Sequence, residues 1–355
     1  MRMVSSKKVL IVEDSTLLSR ILKDAFSNVR NLEVCGIAMN SREAWDQFNS
    51  SKPDIVTLDL MLPDGSGFDL LKKIMRERPT PVVIISSLTS EGAKETFRAF
   101  EMGAADVIEK PKNILDPGNK LVLSRMGMRV LRASEANTSV LSRIASSQER
   151  IKNEPKKIAT KGRPAGSLIL IASSTGGPHT LSKMMPLFKD IGRSAIVVVQ
   201  HIPHFFSSSL AQRLDNLCTF NVKEASDGET IIEGSCLIAP GGVHLEAARD
   251  TKGNLKVRTV NGPLVKGVRP SADITFSSFA GLSKVPMVAI VMTGMGNDGL
   301  DGVKKLRGSG CRIITQNRET CVVYGMPKAV EDEGLSDHSL PFEEIPPKAL
   351  ELISR

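Results

Sequence analysis

Apolar residues in this chain come in continuous runs, with no polar residue at every second position. Val9–Val12, Asp54–Leu60 (DIVTLDL) and Pro81–Ser86 (PVVIIS) are such runs in the first third. A strand buried on both faces has this pattern, whereas a half-solvated antiparallel strand alternates. Between the runs, residues 15–27, 40–49 and 66–76 have helical spacing. The alternation predicts βαβ units and a doubly wound sheet. A second alternation starts at Ser167 with SLILIAS, SAIVVVQ, SCLIAP, MVAIVMTG and CRIITQ. Helical stretches such as Ser207–Leu217 and Gly302–Gly308 lie between some of these runs. The middle differs. Arg125–Arg150 can be drawn as a helix, and Ile151–Ala165 is rich in Lys, Pro and Gly with few apolar side chains. These shifts predict an α/β domain over 1–124, a basic flexible linker over 125–165 and a second, mostly parallel α/β domain over 166–355. No repeat at solenoid spacing is present.

Charge sharpens that division. Of the 355 residues, 1–124 hold 17 Lys and Arg against 17 Asp and Glu, 125–165 hold 10 against 3, and 166–355 hold 20 against 19. The net +8 is therefore concentrated in the middle. Neither flanking region has the basic footprint of a nucleic-acid-binding domain, so no nucleic-acid partner is expected. No apolar run is long enough to span a bilayer, and MRMVSSKK lacks a signal-peptide pattern, so no direct membrane insertion is expected. The five cysteines are scattered without CxxC spacing, which argues against a disulfide framework or zinc site and fits a cytoplasmic setting.

In the first region, chemistry gathers where strands end, the place where open α/β sheets hold ligands. Glu13 and Asp14 follow one run, Asp59 closes the next, Ser86 closes the third, and Lys110 precedes Pro111. Any one of these acids alone is ordinarily a solvated charge. Together they suit a hard cation such as Mg²⁺. VLIVEDS, LDLMLPDGSGFDLL, PVVIISS and VIEKP together resemble a response-regulator receiver domain over roughly residues 5–120. The resemblance implies phosphorylation at Asp59, Mg²⁺ held by Glu13, Asp14 and Asp59, and switch contacts from Ser86 and Lys110. Val107 stands where many receivers carry an aromatic switch residue.

In the second region, SLILIASSTGGPHTL reads as strand, tight turn and helix, with Gly176, Gly177 and Pro178 suited to the turn and the first helical residues. Ser174 would sit beside the helix N-terminus, where negative charge is favoured. SSTGG also reads as a phosphate loop, although it matches neither GxGxxG nor GxxxxGK[ST]. His201 ends another run, with His179, His204 and His244 as rivals that spacing does not separate. Asp298 lies in the Gly-rich MTGMGNDG, where Asn297 or Asp298 would equally serve as a helix N-cap. A serine, a histidine and an acid are the parts of a nucleophilic triad.

STGGP, QHIPHFF with RLD, APGGVHL, RPSAD, MTGMGNDG and YGMP resemble the catalytic domain of the chemotaxis protein-glutamate methylesterases over residues 167–350. The resemblance implies Ser174 as nucleophile, His201 as base, Asp298 as orienting acid, and an oxyanion site at the backbone near Thr175 and Met295. It also implies hydrolysis of glutamate γ-methyl esters and deamidation of glutamines on chemoreceptors, with no cofactor for the esterase step. The implied phosphodonor is the chemotaxis histidine kinase, and the unphosphorylated receiver is expected to restrain the esterase. Ala172–Ser173 replaces the family's Gly-Ala and adds a hydroxyl beside the nucleophile. A DNA-binding output and a small-molecule hydrolase or nucleotide-binding enzyme are the competing readings.

Overall fold

The computed structural model describes residues 6–86, 90–110, 120–146, 155–282 and 285–354. The described residues form two compact units, 1–149 and 150–355.

In the first unit, β1 (Lys7–Val12), β2 (Leu32–Ala38), β3 (Ile55–Leu58), a small hairpin of β4 (Met61–Leu62) and β5 (Gly65–Ser66), β6 (Val82–Ser86) and β7 (Asp106–Glu109) alternate with helices. The helices are α1 (Thr16–Ser27), α2 (Ser41–Ser51), α3 (Gly67–Glu77) and α4 (Ser90–Glu101). The parallel sheet has the order β2-β1-β3-β6-β7. Every residue of β3 and β6 is buried, as their unbroken apolar runs predict. Chain direction along the sheet reverses between β1 and β3, which opens a crevice at their carboxyl ends.

The basic middle is not one flexible linker. Two helices, α5 (Lys120–Ala133) and α6 (Thr138–Ser146), belong to the first unit. Helix α5 buries Met126, Val130 and Ala133, and α6 buries Val140, Leu141 and Ile144. One of the basic residues is an internal counterion: Arg129 grips Asp106 at the start of β7 through two bonds of 2.8 and 2.7 Å. Residues 156–166 are stitched to the second unit. Lys157 Nζ donates to the carbonyls of Asp215 and Phe220, Ile158 N donates to Thr219 O, and Pro164 bridges Ile232. The rest of the expected linker, 147–154, lies outside the described residues.

The second unit is built on β8 (Ser167–Ser173), β9 (Ser194–Gln200), β10 (Asn221–Glu224), β11 (Ser235–Ile238), β12 (His244–Arg249), β13 (Leu255–Val260), β14 (Met287–Val291), β15 (Arg312–Gln316) and β16 (His338–Leu340). Its helices are α7 (Gly177–Met184), α8 (His204–Leu217), α9 (Ala272–Leu282), α10 (Leu300–Gly308), α11 (Met326–Asp332) and α12 (Ile345–Ile353). Seven strands pair in the order β10-β11-β9-β8-β14-β15-β16, and all the pairings are parallel. Strands β8, β9 and β14 are buried throughout, so they lie between layers as the patterning predicts. An antiparallel hairpin, β12–β13, stands apart and packs on α9. Its strands and the edge strands β10 and β16 are absent from the apolar runs, because edge and half-exposed strands carry polar residues.

Candidate active site

Successive strands on either side of β8 leave in opposite directions, so the switch point of the larger sheet lies at the carboxyl end of β8. Three segments meet there. Ser174 follows β8 directly, and His201 follows its neighbour β9, where Ser173 pairs with Gln200 and His201 N donates to Ser173 O at 3.0 Å. Asp298 arrives on the loop after β14, the neighbour on the other side of β8. Ser174 N donates to Thr293 O at 3.0 Å, which ties the two strand ends together. All three residues are nearly buried: Ser174 is 8% exposed, His201 8% and Asp298 3%.

The turn after Ser174 depends on glycine. Gly176 has φ +76°, and a Cβ there would lie 2.4 Å from Val322 Cβ. Gly294 has a similar constraint: a Cβ would fall 2.8 Å from Ser174 Cβ and 2.3 Å from Met326 Sδ. Only glycine lets the segment carrying Met295 pass this close to Ser174. Gly294, one residue before Met295, therefore passes close to the serine, and Thr175 follows the serine directly.

Asp298 accepts from His201 Nε2 at 2.7 Å, Ser271 Oγ at 2.6 Å, Ala272 N at 2.6 Å and Asp273 N at 3.3 Å. Burial opposes its ionisation, but the His201 contact and the other donors outweigh it and hold the carboxyl well below its usual range. The expected N-cap role appears in a crossed form. Asp298 caps α9, while Asp273 in α9 accepts from Gly299 N and Gly302 N, both at 2.9 Å, and so caps α10. Lys266 completes this clasp. Its Nζ lies 2.7 Å from Asp273 and 2.8 Å from Asp301, and it donates to Asn297 O at 3.1 Å. Ser271, Ala272, Asp273 and Lys266 all support the acid, and no local motif around Asp298 announces them.

The rival histidines have other uses. His244 is held between Pro263 O (2.9 Å, Nε2) and Ser271 N (3.2 Å, Nδ1) as a neutral strut of the core. His204 bonds Gly241 O. His179 has its pKa pushed down to about 4 by burial and by the neighbouring Lys183 and Arg213. Of these histidines, His201 is the one that faces a carboxylate among the described residues. The extra hydroxyl of Ser173 is fully buried and donates to Gln200 Oε1 at 2.6 Å.

In the first unit, the residues expected at the phosphorylation site also converge. Oxygens of Glu13, Asp14 and Asp59 lie within 4.8 Å of one another. Lys110 Nζ is 2.5 Å from Asp59 Oδ2 and 3.1 Å from Glu13 Oε1. Burial pushes the Glu13 carboxyl up in spite of Lys110. Burial would push Lys110 down, but its pairing with Asp59 and Glu13 raises it. Three carboxylates around one ammonium leave negative charge in excess, and this all-oxygen set fits a hard divalent cation. Ser86 ends β6, where its carbonyl accepts from Lys110 N at 2.8 Å. Val107 is buried in β7.

Residues 169–349 match the family model of the CheB methylesterases, and residues 9–116 match that of the response regulator receiver domains. The chain belongs to the CheB methylesterase family. A protein-glutamate methylesterase/protein-glutamine glutaminase from Geobacillus kaustophilus is 40% identical, with 98% of each chain covered. A protein of the same description from Thermotoga maritima is 36% identical, again over 98% of both. The solved catalytic domain of the Thermotoga maritima CheB methylesterase superposes with a TM-score of 0.51 at 42% identity, covering 53% of this chain and all of that one. The unit that follows the receiver matches the CheB methylesterases, which favours that reading over the competing DNA-binding output.

Proposed function

We propose that Ser174, His201 and Asp298 are the nucleophile, base and orienting acid of the esterase. Membership of this family makes the chain a protein-glutamate methylesterase and glutamine deamidase governed by a receiver domain. The observation that carries the residue assignment is the 2.7 Å contact between His201 Nε2 and Asp298, made where three adjacent strands end around Ser174. With Nε2–H donated to Asp298, the basic lone pair is on Nδ1. Nδ1 takes the Ser174 proton as Oγ attacks the γ-carbonyl of the substrate. The same nitrogen returns the proton to departing methanol, or to ammonia from a glutamine. Water then hydrolyses the acyl-enzyme to a glutamate carboxylate. Backbone N–H groups at Thr175 and Met295 face the oxyanion, and the N-terminus of α7 favours the same charge.

The substrates are chemoreceptors in the cytoplasm, and the phosphodonor is the chemotaxis histidine kinase. Asp59 accepts the phosphoryl group. Glu13, Asp14 and Asp59 would hold Mg²⁺, which supplies neutralisation of phosphoryl charge when bound. Lys110 and Ser86 contact the phosphorylated Asp59. The esterase step needs no cofactor. The domains are a receiver, a short connection and the esterase unit, with no nucleic-acid partner. Among the described residues no helix is long and apolar enough to cross a membrane. Methanol release from methylated receptor, with and without a small phosphodonor and Mg²⁺, tests the reading. Turnover of small esters with none on receptors would overturn it.

A further inference from the structure

The amide of Gln200 touches the backbone of both reacting residues. Its Nε2 donates to Ser174 O at 2.9 Å and to His201 O at 3.1 Å. Its Oε1 accepts from Ser173 Oγ at 2.6 Å. We propose that Gln200, oriented by Ser173, is a positioning residue that fixes the spacing of nucleophile and base. The inference rests on the Ser174–His201 reading above.

Three observations support it. First, the amide has one satisfied orientation. The carbonyls of Ser174 and His201 only accept, so the NH₂ must face them, and Oε1 is left to Ser173, whose hydroxyl must donate. Second, these bonds lie outside the strand pairing. The ladder between β8 and β9 ends at Ser173 and Gln200 and already includes His201 N to Ser173 O. The side chain adds one more tie beyond the last rung, on the two residues that react. Gln200 is 1% exposed and Ser173 0%, so water cannot replace either. Third, the amide is confined from the helix side. A Cβ on Gly177, the first residue of α7, would come within 2.0 Å of Gln200 Oε1 and 3.0 Å of Ser173 Oγ. The backbone of α7 is therefore seated on the amide, and any side chain at 177 displaces it.

A misplacement of about 1 Å between reacting groups can cost on the order of a hundredfold in rate. In the full-length chain, Gln200→Met is expected to lower kcat by roughly 30- to 100-fold. KM should stay within about twofold, because Gln200 does not touch substrate. Ser173→Ala is expected to lower kcat by about three- to tenfold, the scale of one lost buried hydrogen bond. The double variant should fall no further than Gln200→Met, since both act through one amide. Labelling of Ser174 by a fluorophosphonate should slow in parallel, which reports the nucleophile without turnover. Wild-type kcat and labelling in a folded Gln200→Met overturns the proposal, as does a loss confined to KM or an additive double variant. If Gln200→Met does not fold, Ser173→Ala and Gly177→Ala decide: unchanged kcat in both overturns it. Ser174→Ala, run beside them, separates the two claims. Full activity there removes the triad reading, whereas its loss with normal Gln200→Met removes only the role of Gln200.

Discussion

The receiver and esterase sites occupy the same place in two parallel sheets and treat buried acid in opposite ways. Each sits at the carboxyl ends of strands flanking a switch point, between β1 and β3 in one unit and around β8 in the other. In the receiver, three carboxylates cluster, two of them share one lysine, and burial drives Glu13 upward. In the esterase, one buried carboxylate has four donors, and Asp298 is driven downward. Depth alone does not decide how a carboxylate behaves. An acid short of donors awaits a cation or an electrophile. An acid saturated with them becomes a fixed negative support for its histidine.

The largest expected effect breaks the esterase half of this contrast. Ser174→Ala should lower kcat on the order of a million-fold, the scale of losing a triad serine in a well-studied protease. Methanol release from methylated receptor measures it. Activity above a few per cent of wild type would place the nucleophile elsewhere. Ser173 is a poor alternative, because its hydroxyl is committed to Gln200.

Asp298→Asn comes next, at about 10⁴-fold in kcat, the loss seen for the orienting acid of the protease template. Its pH signature follows from the depressed pKa. The ionised carboxyl adds stability that is fully present above the ordinary value of 3.8 and is lost as pH falls from there toward the folded-state value. Thermal midpoints of the esterase unit measured from neutral pH into acid should fall less steeply for Asp298→Asn than for wild type. Parallel curves would show that Asp298 is not an acid saturated with donors.

The two sites also differ in how they were legible. Strands and switch points were readable because parallel strands are apolar throughout, as in VLIV and SAIVVVQ. The candidate residues are legible because Ser174 and His201 directly follow such runs and Asp298 lies in the Gly-rich loop after another. Their supports were not. Ser271 and Ala272 bond Asp298 from about 26 residues away, and Lys266 reaches it through Asp273 and Asn297 from a separate loop. The residues from Arg125 onward have helical spacing, but their attachment to the first unit is hidden for a similar reason. A helix that buries Met126, Gly127, Val130 and Ala133 among arginines looks like a solvated segment, and the partner that internalises Arg129 is Asp106, in a different element.

A smaller effect tests the receiver half. With Mg²⁺ and a small phosphodonor, wild-type esterase activity should rise on the order of tenfold, within the usual range of coupling between sites. Asp59→Asn should give no response. An equal rise in Asp59→Asn would move the phosphoryl acceptor, or mean that the donor acts without one.

The smallest effect concerns where the esterase unit begins. A fragment starting at 155 keeps Lys157, whose Nζ lies 2.5 Å from Asp215 O, 2.6 Å from Asp215 Oδ1 and 2.9 Å from Phe220 O. It also keeps the bonds from Ile158 N to Thr219 O and from Glu233 N to Arg163 O. A fragment starting at 166 loses all of them. The Lys157–Asp215 pair is about a third exposed on both sides, so its charge contributes little. The remaining hydrogen bonds stabilise by roughly 1 kcal/mol each, and some are replaced by water, which leaves about 2 kcal/mol. For a unit of this size that is about 5 °C in Tm. Catalysis should not change, because the segment runs past the amino ends of β8 and β9 while Ser174 and His201 follow their carboxyl ends. Equal Tm values for the two fragments would make 155–165 a loose tether and restore the linker read from its composition. A lower kcat in the shorter fragment would connect that segment to the site at the far end of the sheet.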